Sequence, residues 1–194
     1  MENLRISTMT AISTFNSHIN LDNLFKAIVI DDLIKFAQHG SYGHKGSHDK
    51  LNKKKRKAKK ITTFFNQVTL HINYDKIVNV KLFNNGKIQM TGLKYADHAN
   101  NIINILIPYL KKLDIKSSDK IFDTDEEIQY SDTKTVLINS DFDVGFKVKR
   151  DVLHREIINY GMFSSYEPCI YPGVNIKYYY NSSKTGICTC SGIC

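Results

Sequence analysis

The sequence predicts an α+β fold in which an antiparallel sheet carries helices on one of its two faces. Three observations support this prediction: an alternation of aliphatic and polar residues over 64–92, an amphipathic segment directly after it, and a partial repetition of the pattern in the second half of the chain. The chain has 194 residues, of which 42% are hydrophobic and 11% aromatic, which is enough for a packed core. This length allows one domain or a pair of small repeats.

The first part of the chain is predicted to form a short strand that enters a helix. Asn20 and Asp22 are candidate caps at the start of the helix. From there, apolar residues recur at roughly helical spacing: Leu21, Leu24, Phe25, Ile28, Leu33 and Phe36. The glycine-, histidine- and lysine-rich stretch at about 40–60 breaks this pattern and is interpreted as a mobile insertion. Its histidines are interpreted as decoration of a flexible loop rather than metal ligands: His39, His44 and His48.

Residues 64–92 alternate between two kinds of side chain. The even positions are aliphatic: Val68, Leu70, Ile72, Val78, Val80, Leu82, Ile88 and Met90. The odd positions are polar, with a phenylalanine at two strand ends: Phe65, Gln67, Thr69, His71, Asn79, Lys81, Phe83, Lys87, Gln89 and Thr91. Because successive side chains of a strand point to opposite faces, the sheet has one aliphatic face and one polar, mildly basic face. The "NNG" at 84–86 predicts a hairpin turn between the last two strands.

The segment after these strands is predicted to be a helix that covers the aliphatic face. One stripe of it is apolar: Ala96, Ala99, Ile102, Ile103, Leu106, Ile107 and Leu110. No other element in this half of the chain remains to cover the polar face, which therefore meets water or a ligand. The next stretch, 114–132, has seven acidic residues against two lysines and is predicted to be an exposed linker.

The net charge of +8 is concentrated in one segment, "KLNKKKRKAKK" at 50–60, which has eight basic residues and no acidic one. The rest of the chain has equal numbers of basic and acidic residues. Two interpretations remain open. The segment is either a solvated loop or localisation tag, or an arm that binds phosphates.

The cysteines predict no metal site. Three of them close the chain in "CTCSGIC", as Cys188, Cys190 and Cys194, and the fourth is Cys169. A tail of three falls one ligand short of a tetrahedral zinc site, so free thiols in a reducing compartment are expected, with no cofactor. No apolar run has the length of a membrane span, and the first residues lack the apolar core of a signal peptide. The expectation is a soluble, intracellular protein.

Two pairs of similar segments predict an internal repeat. "INLDNL" at 19–24 is similar to "VKRDVL" at 148–153, an offset of 129 residues. "FNQVTLHINYD" at 65–75 is similar to "YPGVNIKYYYN" at 171–181, an offset of 106. The two offsets differ by about the length of the proposed insertion, so one copy of the unit has gained a loop. The predicted organisation is a first repeat at 1–113, an acidic linker at 114–134 and a second repeat at 135–194.

The segment "FSSYEPCIYPG" at 163–173 closely resembles the second repeat of TATA-box-binding proteins, in which Phe-Ser-Ser-Tyr-Glu-Pro precedes a Phe-Pro-Gly turn. Upstream, "FDVGFKVKRDVL" at 142–153 is similar to the Asp-Val-Lys-Phe stretch of that repeat. "KLFNNGKIQMTGLK" at 81–94 resembles the first-repeat hairpin, Phe-x-x-Gly-Lys ending in Thr-Gly. The excess of lysine, asparagine and isoleucine is typical of an A+T-rich genome, which suggests a divergent version from a large DNA virus.

The resemblance implies a saddle, in which a curved antiparallel sheet carries helices on its convex side and lays its concave face on the DNA minor groove. In that family, pairs of phenylalanines wedge between base steps at the ends of the site. The implied function is sequence-preferring binding to A+T-rich promoter elements as a transcription initiation factor, without enzymatic activity. The implied partners are general transcription factors or RNA polymerase machinery on the convex face. The implied location is the nucleus or, for a viral protein, a cytoplasmic virus factory.

The resemblance also implies a set of DNA-binding residues. Phe65 and Phe83 match the first-repeat wedge pair, and Tyr171 takes the place of one second-repeat phenylalanine. His71 and Lys177 match phosphate-contacting arginines. The remaining members match the hairpin or share the expected face: Thr69, Asn79, Lys81, Lys87, Gln89, Thr91, Asn139 and Asn175. In this alignment the stiff segment 161–173 is the loop that presents the ring of residue 171.

Three departures from the family pattern leave a second function open. The base-reading asparagines of the family are out of register, with Leu137 in place of one and Asn139 two residues on, and only Thr8 or Thr10 available in the first repeat. Tyr171 adds a hydroxyl to a wedge ring. The second repeat stops at Cys194, as a fragment or a shortened protein, which would leave an open sheet edge. The alternative is a protein-interaction module that no longer bends DNA. An enzyme is disfavoured because no carboxylate pair, nucleophile–base pair or metal triad stands out.

Overall fold

The computed structural model describes residues 4–40, 42–46, 64–180 and 183–190, with the backbone only for Tyr180 and 183–190. The chain divides into two compact units, Met1–Phe142 and Asp143–Cys194. Each unit combines helices with an antiparallel sheet, as the α+β prediction requires.

In its described residues, the first unit contains a seven-stranded sheet and two helices. Its elements follow the chain in this order: β1 (Arg5–Thr14), α1 (Leu21–Ala27), β2 (Ile34–His39), β3 (Gly43–Gly46), β4 (Gln67–Asn73), β5 (Ile77–Phe83), β6 (Lys87–Leu93), α2 (His98–Lys116) and β7 (Lys134–Asp141). The strand order in the sheet is β3-β2-β4-β5-β6-β1-β7, and all neighbours are antiparallel.

The core lies between α2 and the aliphatic face of the sheet, as predicted. Every even-numbered aliphatic residue of β4, β5 and β6 is at most 1% exposed. The stripe of α2 that meets them is also buried: Ala99, Ile102, Ile103, Leu106, Leu110 and Leu113. The helix begins at His98, so Ala96 precedes it and is exposed. The predicted hairpin is also present, with Gly86 at a φ of +79° in the turn between β5 and β6.

The predicted first helix is much shorter than its apolar spacing suggests. Asn20 caps it, since its side-chain oxygen accepts a hydrogen bond from the backbone N–H of Asn23 at 3.0 Å. The helix ends at Ala27, and residues 34–39 form β2 instead. The prediction of a continuous helix is therefore wrong here. Pairing with β4 outweighs the helical spacing, and the Asp31 carboxylate fixes the turn before β2 by accepting from the N–H of Ile34 at 2.8 Å.

The start of the proposed insertion belongs to the sheet. His39 is 2% exposed, and its ring nitrogens lie 2.9 Å from the carbonyl oxygen of Gln67 and 3.0 Å from the Asp22 carboxylate. His44 lies in β3 opposite Gln38. The interpretation that these two histidines lie in a flexible loop is therefore wrong, because His39 is held by hydrogen bonds and His44 by strand pairing. His48 and the basic segment 50–60 lie outside the described residues.

Lys45 ties the β2–β3 hairpin to the C-terminal end of α1. Its ammonium donates to the carbonyl oxygens of Phe25, Lys26 and Ile28 at 2.7, 2.9 and 2.8 Å. Carbonyl groups at the end of a helix have no partner within it, so a cation there stabilises the terminus. Burial lowers the pKa of the Lys45 ammonium from its ordinary value.

The acidic linker is not uniformly exposed. Ile121, Phe122 and Ile128 are 0%, 3% and 7% exposed and belong to the core of the first unit. Asp114 helps to fix this path, since its carboxylate accepts from the backbone N–H of Ile121 at 2.6 Å. The expectation of an exposed linker is wrong at these three apolar positions, because their burial outweighs the surrounding charge.

The part of the second unit that the structure describes contains one helix and a three-stranded sheet. Its elements are α3 (Arg150–Asn159), β8 (Phe163–Ser165), β9 (Val174–Tyr180) and β10 (Ser183–Cys190), with the strand order β10-β9-β8. Helix α3 begins 129 residues after α1, the offset expected for the repeat. None of the residues of α3 is buried, and Val174 is the one fully buried apolar side chain among the described residues of this unit.

The ladder between β1 and β7 has an internal symmetry. Met9 pairs with Ile138, and these two residues occupy equivalent positions in the two repeats at the offset of 129. Thr8 pairs with Asn139 and Thr10 with Leu137, so each pair is the mirror of the other under the same offset. This local two-fold relation is consistent with the predicted duplication of one structural unit.

We predict that Lys45→Met lowers the free energy of unfolding by about 1–3 kcal/mol, because three carbonyl groups lose a charged donor while the apolar stem keeps its length. Urea unfolding followed by circular dichroism measures the change. Lys35→Met is the matched control, since the Lys35 ammonium pairs at 2.9 Å with an exposed carboxylate, that of Asp32, and its loss should change little. Equal effects of the two substitutions would contradict a capping role for Lys45.

Candidate nucleic-acid interface

The strand register brings most of the predicted first-repeat residues together on one surface. This polar sheet face is formed by the odd-numbered polar residues of β4, β5 and β6: Thr69, His71, Asn79, Lys81, Lys87, Gln89 and Thr91. Six of them form two cross-strand rows, which read Thr69–Lys81–Gln89 and His71–Asn79–Thr91. Strand β1 extends both rows, with Ile12 beside Gln89 and Thr10 beside Thr91. Residues far apart in the chain thus form one continuous surface.

The polar sheet face contains hydrogen-bond donors and no carboxylate from these three strands. Lys87 is exposed, whereas Lys81 and His71 are half-buried. Two short-range contacts order the face, as Gln67 Nε2 donates to Thr69 Oγ1 at 3.2 Å and Thr91 Oγ1 donates to the carbonyl oxygen of Asn79 at 3.5 Å. A surface of this kind suits a ligand that offers acceptors and negative charge.

The two predicted wedge residues lie outside the aliphatic core. Phe65 is 68% exposed, and Phe83 is half-buried at the end of β5. The ring of Phe65 rests against Gly40, where an added Cβ would lie 3.1 Å from Cδ1 of that ring. Phe64, which the sequence analysis did not select, is 57% exposed beside it. The structure therefore presents apolar rings at the edge of a polar face.

The turn after β5 holds the second of these rings in place. The N–H of Gly86 donates to the carbonyl oxygen of Phe83 at 3.0 Å, and the carbonyl oxygen of Gly86 accepts from the N–H of Phe15 at 2.9 Å. Asn84 is held in the same way, since its carbonyl oxygen accepts from the N–H of Ile19 at 2.8 Å. The hairpin tip is thus anchored to the segment before α1, which fixes the end of β5.

Strand β2 adds residues that the sequence analysis did not assign to this surface. Phe36 is paired with His71 and is 4% exposed, although it lies apart from the aliphatic core. Its ring centroid lies 4.7 Å from that of His71 and 5.8 Å from that of His44. Gln38 extends the other row beside Thr69. An irregularity in the β2–β4 register between Ile34 and Phe36 shifts the parity, so simple alternation does not identify these residues.

The second unit holds the predicted residues Tyr171, Asn175 and Lys177. Tyr171 is 49% exposed after the loop, and its N–H donates to the carbonyl oxygen of Glu167 at 2.9 Å. Lys177 pairs with Phe163, and its ammonium lies 4.2 Å from the centre of that ring, a cation–π contact. Asn175 is half-buried, and its side-chain oxygen has no hydrogen-bond partner in the described part of the chain.

The loop around Tyr171 is connected to helix α3 of the same unit by a hydrogen bond. Gly161 has a φ of +75° at its start, and the guanidinium of Arg150 donates to the carbonyl oxygen of Pro172 near its end. The loop therefore has fixed points at both ends.

Asn139 lies in β7 of the first unit, exposed and paired with Thr8. Leu137, at the place of a family asparagine, is 52% exposed and pairs with Thr10, which is 8% exposed. The structure thus places an exposed apolar side chain where the resemblance implied a base-reading amide.

The cysteine tail is described only in part. Cys188 and Cys190 lie in β10, Cys194 lies outside the described residues, and Cys169 is a free, exposed thiol. Within the described ranges, no group of three or more histidine, cysteine, aspartate or glutamate side chains is arranged to hold a metal ion. The absence of a zinc site at the tail stays a prediction.

The fold is that of TATA-box-binding proteins. The structure of Methanococcus jannaschii TBP matches with a TM-score of 0.57 over 95% of this chain and 86% of that one, at 18% sequence identity. An identity this low establishes the fold alone. The prediction of an α+β fold of this type is confirmed.

The sequence also has a viral relative. A curated protein of Acanthamoeba polyphaga mimivirus, described as "TATA-box-binding protein-like", is 32% identical over an alignment of 212 positions, which covers 95% of this chain and 57% of that protein. No family model matches the chain. The resemblance is thereby confirmed: the chain is similar to a viral protein described as TATA-box-binding protein-like and has the fold of TATA-box-binding proteins. It spans 57% of the length of that relative.

No helix in the described part of the chain is both long and apolar enough to cross a membrane.

We predict that Phe65→Ala reduces the melting temperature only slightly, because the ring is mostly in water and its removal leaves no cavity. Leu82→Ala is the matched control on a neighbouring strand, since Leu82 is fully buried and its truncation should cost about 2–5 kcal/mol. Calorimetry of both variants gives the comparison. A melting temperature as low for Phe65→Ala as for Leu82→Ala would show that the Phe65 ring is packed in the core.

Proposed function

We propose that this chain binds double-stranded DNA through the polar sheet face, in the minor groove of A+T-rich promoter elements. In this proposal the chain acts as a transcription initiation factor of the TATA-box-binding type and has no enzymatic activity. The observation that supports the proposal most directly is the polar sheet face itself. That face has no carboxylate from β4–β6 and has phenylalanine rings at its border.

The chemistry of the polar sheet face matches the A·T minor groove. An A·T pair offers only the acceptors adenine N3 and thymine O2 there. Donors on the face are the Lys81 ammonium and the side-chain amides of Asn79 and Gln89. The exposed ring of Phe65 and the half-buried ring of Phe83 are suited to replace base stacking where a base step opens.

Binding to the phosphates would come from a second group of residues. Lys87 is exposed beside the hairpin, and His71 lies on the same face. The basic segment 50–60 connects elements of the first unit in sequence, since β3 ends at Gly46 and β4 begins at Gln67. Each phosphate neutralised releases counterions, so this part of the affinity should fall steeply with salt.

The helix side of the sheet is the proposed docking side for general transcription factors or RNA polymerase machinery. On α2, Ile105 and Ile115 are 40% and 85% exposed, and apolar side chains in water favour protein contacts. The proposed location is the nucleus or, in keeping with the viral relative, a cytoplasmic virus factory.

A second candidate function is a protein-interaction module that keeps the fold without bending DNA. The exposed apolar run on β7 favours this module, since Val136, Leu137 and Ile138 are 49%, 52% and 53% exposed. Leu137 stands where the resemblance implies a base-reading asparagine. Tyr171 also favours the interaction module. Its hydroxyl would lose hydration if the ring entered a base step, whereas a phenylalanine wedge has no polar group to desolvate.

We predict that Phe65→Ala combined with Phe83→Ala abolishes most of the bending of an A+T-rich duplex while phosphate binding persists. Fluorescence energy transfer between dyes on the duplex ends measures the bend, and anisotropy measures the binding. Ile115→Ala on the exposed side of α2 is the control and should bend DNA like the parent. A parent protein that binds the duplex without bending it would favour the interaction module instead.

We predict that deleting residues 50–60 weakens DNA binding about equally on all sequences and flattens the slope of log affinity against log salt. The deletion spares β3 and Gly40, so the melting temperature should stay near that of the parent. Affinities on A+T-rich and G+C-rich duplexes at several salt concentrations provide the measurement. Selective loss of affinity for A+T-rich duplexes would show that the segment reads sequence.

A further inference from the structure

Asn79 lies in the middle of the polar sheet face with an unpaired side-chain oxygen. In the register it stands between His71 on β4 and Thr91 on β6. Its side-chain oxygen is buried and has no hydrogen-bond partner among the residues that the structure describes. Most buried polar groups in folded proteins are paired, so an unpaired amide oxygen at the centre of a surface requires a reason.

The neighbours of Asn79 are engaged elsewhere. The Thr91 hydroxyl donates to the backbone carbonyl oxygen of Asn79 rather than to its side chain. The His71 ring packs on Phe36, with 4.7 Å between the ring centroids. The fold therefore leaves the side-chain oxygen of Asn79 without a partner, so that this acceptor is available to a ligand once the amide turns outward.

An asparagine amide has two chemically different ends on one rotatable bond. Its NH₂ group donates, its oxygen accepts, and a half-turn about the bond exchanges their positions. Lys81, on the same strand and face, is different because an ammonium only donates. Within this face, Asn79 is thus able to match either a donor or an acceptor on a bound base pair.

We propose that Asn79 is a specificity-determining residue that tolerates a guanine at the base pair it meets, within an otherwise A+T-rich site. This inference rests on the proposed minor-groove binding. With its NH₂ group outward, the amide donates to adenine N3 or thymine O2. With its oxygen outward, it accepts from the 2-amino group of guanine, the one donor that G·C adds to the minor groove.

The test uses base analogues that change only the minor groove. In a preferred A+T-rich duplex, each A·T pair is replaced singly by 2,6-diaminopurine·T, which adds the 2-amino group, or by inosine·C, which keeps the A·T pattern of acceptors. For the parent protein we expect one position at which diaminopurine costs less than about threefold in affinity, against about tenfold or more at neighbouring positions. Inosine should be tolerated throughout.

Two variants assign this tolerance to Asn79. Asn79→Leu should lose it, so that diaminopurine at that position costs about tenfold, as expected when an amino group is left unpaired. Asn79→Asp has the same shape and keeps only acceptors, so it should retain the tolerance and bind plain A·T more weakly. Lys81→Met is the control and should leave the tolerated position unchanged. Melting temperatures show whether each variant folds. If Asn79→Leu does not fold, the comparison of Asn79→Asp with the parent tests the inference.

Two results would overturn the inference while leaving the proposed function intact. One is a parent protein that rejects the 2-amino group equally at every position. The other is Asn79→Leu with the same tolerant position as the parent. A parent protein without any preference for A+T-rich over G+C-rich duplexes would overturn the proposed function, and the inference with it.

Discussion

The packing of α2 on the aliphatic face of the sheet is the constraint on which the rest of the structure depends. Because β4, β5 and β6 place their even-numbered aliphatic side chains on that face, the same register places their odd-numbered polar side chains on the other. A slip of one residue in β5 would put Lys81 and Asn79 into the core, which makes the register costly to change. Burial of one face thereby determines the composition of the polar sheet face.

The anchored hairpin tip fixes the position of Phe83 at the end of β5. Gly86 adopts a φ of +79°, which a residue with a Cβ rarely takes. A Cβ there would also lie 2.3 Å from the carbonyl oxygen of Ser17, so the close approach of the two segments requires glycine. The same contact explains why the glycine of the "NNG" turn serves both the hairpin and the anchoring of its tip.

The sequence predicted the elements whose signals are local. The alternation in β4–β6, the stripe of α2 and the turn at Gly86 each lie within one short segment. Strand β2 was missed because its register with β4 is irregular and its partners are distant in sequence. His39 was misread for the same reason, since its partners Asp22 and Gln67 lie 17 and 28 residues away. The unpaired side-chain oxygen of Asn79 depends on how the neighbouring side chains are engaged, which no sequence pattern reports.

The two units present unequal surfaces for the proposed binding. In the first, an apolar ring at Phe65 is mostly exposed, whereas in the second the corresponding place has Tyr171, whose hydroxyl must find a partner when the ring is buried. Lys177 is also partly engaged, since its ammonium already lies over the Phe163 ring. A wedge that loses the hydration of a hydroxyl opens a base step less favourably than one of bare carbon. The bend proposed for this protein should therefore be sharper at the end of the site that meets the first unit.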